Sequence, residues 1–182
     1  MEFFDLWSPA VSTETRSLLR IWRNRDDVRS QMVNDKEISE EEHRQWLDRL
    51  RNKEVFSDVR VAHVNGIPMG IIALSSIDIH AGSASWSMYI GESAFRGQGY
   101  SGAMVDEVIR WGFDELRLRR LYTSVLSTNE RAFVQYLRRG FRLEGCWREH
   151  LIRSDSGKTV DLYWLGMLRS EWCRTKACTR SQ

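Results

Sequence analysis

The sequence predicts a mixed α/β domain: a mostly antiparallel, twisted sheet of about seven strands flanked by about four helices. Three observations carry this. Two stretches of helical periodicity come before residue 55. From Val55 the apolar residues alternate instead, and Asn65-Gly66 supplies a tight hairpin turn within that region. Beyond a glycine-rich stretch at residues 96–102 the pattern reads helix, strand, helix and a final pair of strands.

Each element follows from its residues. Residues 3–6 suit a first strand. Residues 14–32 read as one helical region, with Leu18, Leu19, Trp22 and Val28 at the apolar positions. Ser39 and Glu42 form a capping box that opens the next helix, where Trp46, Leu47 and Leu50 share a face. Glu40, Glu41 and Glu42 fall in its first turn, where the helix dipole favours negative charge. Val59 and Val61 alternate with polar neighbours, and residues 67–79 are strand-rich. Gly82 marks a turn before a strand at 84–90. Residues 100–116 read as a helix with Met104, Val105, Val108, Ile109, Gly112 and Phe113 on a broad apolar face. A short buried strand follows at 121–126, then a helix at 129–139 stopped by Gly140. Strands at 141–152 and 159–168 are joined by a turn at 154–158, and their pairing across a homodimer is one expectation.

A chain of 182 residues suits a single domain, taken as residues 1–170, with a polar tail at 171–182. An apolar fraction of 42% and a mean hydropathy of -0.47 fit a soluble globular protein. No run approaches the ~18 apolar residues that span a bilayer. The first eleven residues lack a basic leader ahead of an apolar block, so the expectation is a cytoplasmic protein with no membrane partner. The net charge of +2 decides little, and the basic clusters at 117–120 and 138–139 read as solvated faces. Neither zinc-finger spacing nor an RNP-like aromatic motif occurs, so no nucleic acid is expected. The cysteines, Cys146, Cys173 and Cys178, are odd in number and lack framework spacing; Cys173 and Cys178 have no nearby histidine. Neither a disulfide scaffold nor a metal is expected.

Gly97-Gln98-Gly99-Tyr100-Ser101-Gly102 spells G-x-G-x-x-G. A dinucleotide site would need an opening βαβ unit and an acid ~20 residues on, where this chain has a basic run instead. A kinase would need H-R-D and D-F-G, and a Walker loop Gly-Lys-Ser/Thr; none occurs. A plain strand-to-helix turn stays open on the glycines alone. The loop follows a strand and opens a helix, so converging N–H groups and the helix dipole suit a pyrophosphate.

Arg96-Gly97-Gln98-Gly99-Tyr100-Ser101 resembles the R/Q-x-x-G-x-G/A loop of the GNAT superfamily of acetyl-coenzyme A-dependent N-acetyltransferases, with Ser in the last place. Asn129, Tyr136, Gly140 and Phe141 match a second motif, Asn-x6-Tyr-x3-Gly-Phe. The resemblance spans nearly the whole chain. It implies the GNAT fold, with acetyl-CoA as co-substrate, held by Arg96 to Gly102, by main-chain groups of Met88, Tyr89 and Ile90, and by Asn129, which also suits a helix cap. It implies Tyr136 as the acid that protonates the departing thiolate. His43, His80, Glu92 and Glu130 are candidates for a base, and none is assigned.

For the acceptor, the chain resembles those superfamily members that acetylate the 4-amino group of a UDP-linked amino-deoxysugar in pseudaminic acid biosynthesis. That resemblance implies Arg23 and His43 at the nucleotide phosphates, Ser75 near the acceptor, and Met32, Trp86 and Tyr89 as an apolar floor for the deoxysugar. Ribosomal-protein N-terminal, polyamine and aminoglycoside acetylation remain rivals, as does a non-catalytic acyl-CoA sensor.

Overall fold

In the computed structural model, which describes residues 1–172, the chain runs β1 (Glu2–Asp5), α1 (Thr13–Asn24), α2 (Asp26–Arg29), α3 (Glu40–Arg51), β2 (Asp58–Val64), β3 (Ile67–Asp78) and β4 (Ser83–Ile90). It continues through α4 (Tyr100–Arg110), β5 (Arg120–Leu126), α5 (Glu130–Arg138), β6 (Arg142–Ile152) and β7 (Thr159–Leu168). The strands form one sheet in the order β1-β2-β3-β4-β5-β7-β6. Every neighbouring pair is antiparallel except β4 with β5.

Alternation along the strands sorts side chains between two layers. Val59, Val61 and Ile71 face Leu19, Trp22 and Leu50 of α1 and α3. Ala62, Ile72, Leu74, Trp86 and Leu121 face the other way, onto Met104, Val105 and Val108 of α4 and Tyr136 of α5. Each fully buried Leu, Ile or Val contributes roughly 1.5–3 kcal/mol, so the two layers fix which helix lies on which face.

The helical region at 14–32 divides. Ser12 caps α1 by accepting from Thr15 N at 3.1 Å. Arg25 then turns extended, at φ -63° and ψ 137°. Apolar spacing alone reads straight through this break, because Val28 is buried in the short α2 beyond it. Asn24 holds the exit by bonding both the N–H and the carbonyl of Ile38, at 2.9 and 2.8 Å. The predicted helix at 100–116 also changes character: α4 ends at Arg110 and a π-turn runs from Trp111 to Glu115. Gly112 lies within this turn, where a Cβ would meet the Leu121 side chain at 2.7 Å. The capping box at Ser39 and Glu42 is present in both directions.

At the start of the stretch read from sequence as a tail, Glu171 pairs with Arg142 at 3.2 Å and Trp172 packs on Phe113. Cys173 and Cys178 lie outside the described residues. Cys146 is a free, exposed thiol. Among the described residues no helix is long and apolar enough to cross a membrane.

Candidate active site

The one parallel pairing in the sheet makes the site. β4 and β5 pair only at Ser83–Arg120, Ala84–Leu121 and Ser85–Tyr122. Both strands continue beyond, held on their outer edges by β3 and β7, but no longer paired with each other. Their facing edges therefore carry unpaired main-chain groups into a wedge, which suits an extended ligand that bonds as a strand does. Thr123 closes the apex, its Oγ1 donating to the Trp86 carbonyl at 2.8 Å. The wedge opens into a cleft of about 830 Å³, lined along β4 by Trp86 to Ile90 and along β5 by Thr123 to Leu126.

The glycine loop sits at the end of β4. Gly97 and Gly99 have φ of +75° and +84°, a region that favours glycine, and a Cβ at either would meet nothing within 4 Å. Gly99 is the N-cap of α4 and offers no side-chain cap. Among the described residues the N–H groups of Gly97, Gln98, Gly99, Tyr100 and Ser101 have no hydrogen-bond partner, while Gly102 N–H turns back to the Gly99 carbonyl at 3.1 Å. Unpaired donors at a helix N-terminus fit a diphosphate.

Two loop side chains act otherwise than their sequence positions suggest. The Arg96 guanidinium donates to the Ile90 carbonyl at 3.0 and 2.9 Å and pairs with Asp27. It ties the loop to β4 and α2 and also lines the cleft. Ser101 Oγ donates to Gln135 Oε1 at 3.2 Å and so faces α5. Arg139 lies close over Gly102, where a Cβ would meet its Nη2 at 2.1 Å and the flexible side chain would have to shift. Gln98 bonds the Ala94 carbonyl at 2.5 Å, and Tyr100 packs edge-on against Phe95 at 5.9 Å.

α5 brings Tyr136 to the cleft. Asn129 caps this helix by accepting from Ala132 N at 3.2 Å, and it also lines the cleft. Tyr136 is only 8% exposed, and burial pushes its phenol well above the ordinary tyrosine value. Its ring meets the Trp86 ring edge-on at 4.7 Å. Trp86 is buried in the core beneath the cleft, and its indole nitrogen has no hydrogen-bond partner among the described residues.

The opposite wall comes from α1, α2 and the chain beyond. Arg23, Met32, Val33 and Asn34 line it. Arg23 donates to the Asn34 carbonyl, while its Nη1 is buried without a partner among the described residues. Burial pulls this guanidinium below its ordinary value; Arg29 and Arg153 act in the same direction, against Tyr89 and Asp35. Tyr89 lines the cleft but sends its hydroxyl to the Leu19 carbonyl at 3.2 Å. Arg153, which the sequence reading passed over, is 8% exposed and bonds the carbonyls of Met32 and Ser30. The signal available in sequence was only a basic residue entering a turn.

Two expected acceptor residues lie elsewhere. His43 is buried on α3, its Nε2 donating to the Arg16 carbonyl at 2.9 Å and its ring stacked on Trp46. Its helical register turns it onto α1. Ser75 pairs with Ser85 in the sheet, on the face shared with Ile71, and does not line the cleft. Of the four candidate bases only Glu130 lines the cleft. Asp27 is the other carboxylate there; the hydrogen bonds of Arg96 and Arg25 outweigh desolvation and hold it below its ordinary value.

Comparison with known proteins bears on the family and the fold. The family described as Acetyltransferase (GNAT) domain matches residues 8–142. The SPbeta prophage-derived uncharacterized N-acetyltransferase YokL of Bacillus subtilis (strain 168) is 28% identical over 129 residues, 71% of each chain. Spermidine N-acetyltransferase from Vibrio cholerae, solved with CoA and spermine, is similar in structure with a TM-score of 0.84 at 18% identity, covering 94% of this chain and 97% of that one. A dodecameric structure of the same Vibrio cholerae enzyme, in an intermediate state, gives 0.73 at 19% identity, covering 94% and 95%.

Proposed function

Because the chain belongs to the GNAT acetyltransferase family, we propose that this cleft moves an acetyl group from acetyl-CoA to an amine whose carrier also bears an anionic group. The specific acceptor class is a UDP-linked amino-deoxysugar of the kind used in pseudaminic acid biosynthesis. The carrying observation is Arg23 Nη1, a buried guanidinium nitrogen at the cleft wall with no partner among the described residues. Leaving such a donor unmade is expensive, and a phosphate or carboxylate matches its geometry.

Acetyl-CoA supplies the acyl group as a thioester. The unpaired N–H groups of Gly97 to Ser101 suit its pyrophosphate, and alternate main-chain groups of Met88, Tyr89 and Ile90 suit its extended arm and the acyl oxygen. Tyr136 Oη carries the proton for the departing sulfur, and burial keeps it there at neutral pH. The amine sheds its own proton to water.

A polyamine acceptor draws support from the substrate named for the Vibrio cholerae enzyme. The acidic run at Glu40, Glu41 and Glu42 does not add to it. Glu40 pairs with Arg20, Glu41 with Arg44, and Glu42 closes the capping box; none lines the cleft.

The test is CoA release with a panel: a UDP-4-amino-4,6-dideoxy sugar, spermidine, an aminoglycoside and an N-terminal peptide. Turnover of the nucleotide sugar, with a KM raised roughly tenfold or more by Arg23→Ala as loss of a charged hydrogen bond requires, is the expected result. Preferential turnover of spermidine overturns the anionic acceptor. Acetyl-CoA binding without turnover of any amine makes the protein a sensor.

A further inference from the structure

The cleft wall at residues 30–35 joins α2 to α3 without forming a helix or strand. Gln31, Met32, Val33 and Asn34 nevertheless line the cleft. A segment with no ladder of its own needs outside partners to hold one shape.

Those partners come from the far end of the chain. Arg153 opens the β6–β7 turn, where its N–H bonds the Lys158 carbonyl at 2.9 Å. Its Nη1 donates to the Met32 carbonyl at 2.8 Å and its Nη2 to the Ser30 carbonyl at 3.0 Å. Its Nη2 also pairs with Asp35 at 3.3 Å. Ser154 adds its N–H and its hydroxyl to the two Asp35 oxygens, at 2.8 and 2.7 Å. Ser154's hydrogen bonds hold the Asp35 carboxyl below its ordinary value, and Arg153 adds to this. β6 is largely exposed up to its end at Ile152, yet Arg153 immediately after it is 8% exposed. A guanidinium taken out of water needs such bonds to offset its desolvation.

We propose that Arg153 is a positioning residue for the acceptor: through two main-chain carbonyls it fixes the wall that carries Met32 and Asn34, and with it the seat of Arg23. This rests on the reading that the wall faces the acceptor. A planar guanidinium reaches two carbonyls in fixed directions, whereas an ammonium keeps the charge beside Asp35 without that fork. Arg153→Lys therefore separates charge from geometry.

The experiment uses the full chain saturated with acetyl-CoA. Hydrogen–deuterium exchange compares Arg153→Lys and Arg153→Met with the parent. Both variants are expected to exchange faster at residues 31–34 and unchanged at 97–102. Steady-state kinetics use whichever amine of the panel is turned over. The acceptor KM is expected to rise roughly tenfold, the loss of one charged hydrogen bond, with kcat at saturation and the acetyl-CoA Kd held. Unchanged exchange at 31–34 in both variants overturns the proposal. So does a uniform rise in exchange across the domain, or a loss of kcat and acetyl-CoA affinity alongside the acceptor KM. If no amine of the panel is turned over, the acceptor reading fails, and the exchange comparison still decides whether Arg153 orders the wall.

Discussion

Thr123 donates its hydroxyl to the Trp86 carbonyl at 2.8 Å where β4 and β5 part, so one side-chain bond replaces the ladder bond that the wedge forgoes. Thr123 is buried. Thr123→Val keeps the shape and leaves that carbonyl unpaired, at a cost of about 1–3 kcal/mol. The expected result is a lower Tm in thermal unfolding and a weakened acetyl-CoA Kd, with Thr123→Ser retaining both. A Val variant with the parent's Tm shows that the apex closes without this bond.

Tyr136→Phe removes the phenol and keeps the ring against Trp86. Loss of a general acid lowers kcat by roughly 10²-fold or more, with acetyl-CoA affinity unchanged. Stopped-time assays of CoA release measure the first and calorimetry the second. An undiminished kcat removes Tyr136 from the chemistry.

Gly99→Val places a β-branched residue at φ +84°, a conformation that such side chains avoid. The loop must rearrange and its N–H groups lose their common direction. Calorimetric affinity for acetyl-CoA is expected to fall by at least tenfold while the protein stays folded by circular dichroism. Native affinity in that variant refutes the loop as the pyrophosphate seat.

His43 gives a pH signature of stability and none of catalysis. Burial is the main cause that pulls its pKa down; the Arg16 carbonyl opposes it and Arg20 assists. The folded state thus binds fewer protons than the unfolded one between the lowered value and the ordinary one near 6.5. Stability is full above about pH 6.5 and is lost as pH falls through the folded pKa. His43→Gln is expected to flatten the Tm profile in that window and to leave the acceptor KM unchanged. A raised KM returns His43 to the acceptor site.

Much of the site was legible because it consists of local motifs. The spacing of Gly97 and Gly99 before a helix, and of Asn129 before Tyr136, is a property of consecutive residues; Gly97 and Ser101 of the first stretch and Asn129 and Tyr136 of the second line the cleft. The wall opposite the glycine loop was legible only in part: the resemblance pointed to Arg23 and Met32, and both line the cleft, but apolar periodicity runs unbroken through the break at Arg25. His43 has the same chemistry on paper as a phosphate ligand, but its position on α3 turns it onto α1.

By itself, the sequence determined the order of helices and strands, the hairpin at Asn65-Gly66, the capping box at Ser39 and the glycine loop, since each is set by neighbours within a few residues. Only the tertiary structure decided that β4 and β5 part after Ser85 and Tyr122, and that Arg153 grips a wall more than a hundred residues away at Met32 and Ser30. Those depend on contacts between distant segments, whose geometry is fixed when the two core layers pack against the sheet.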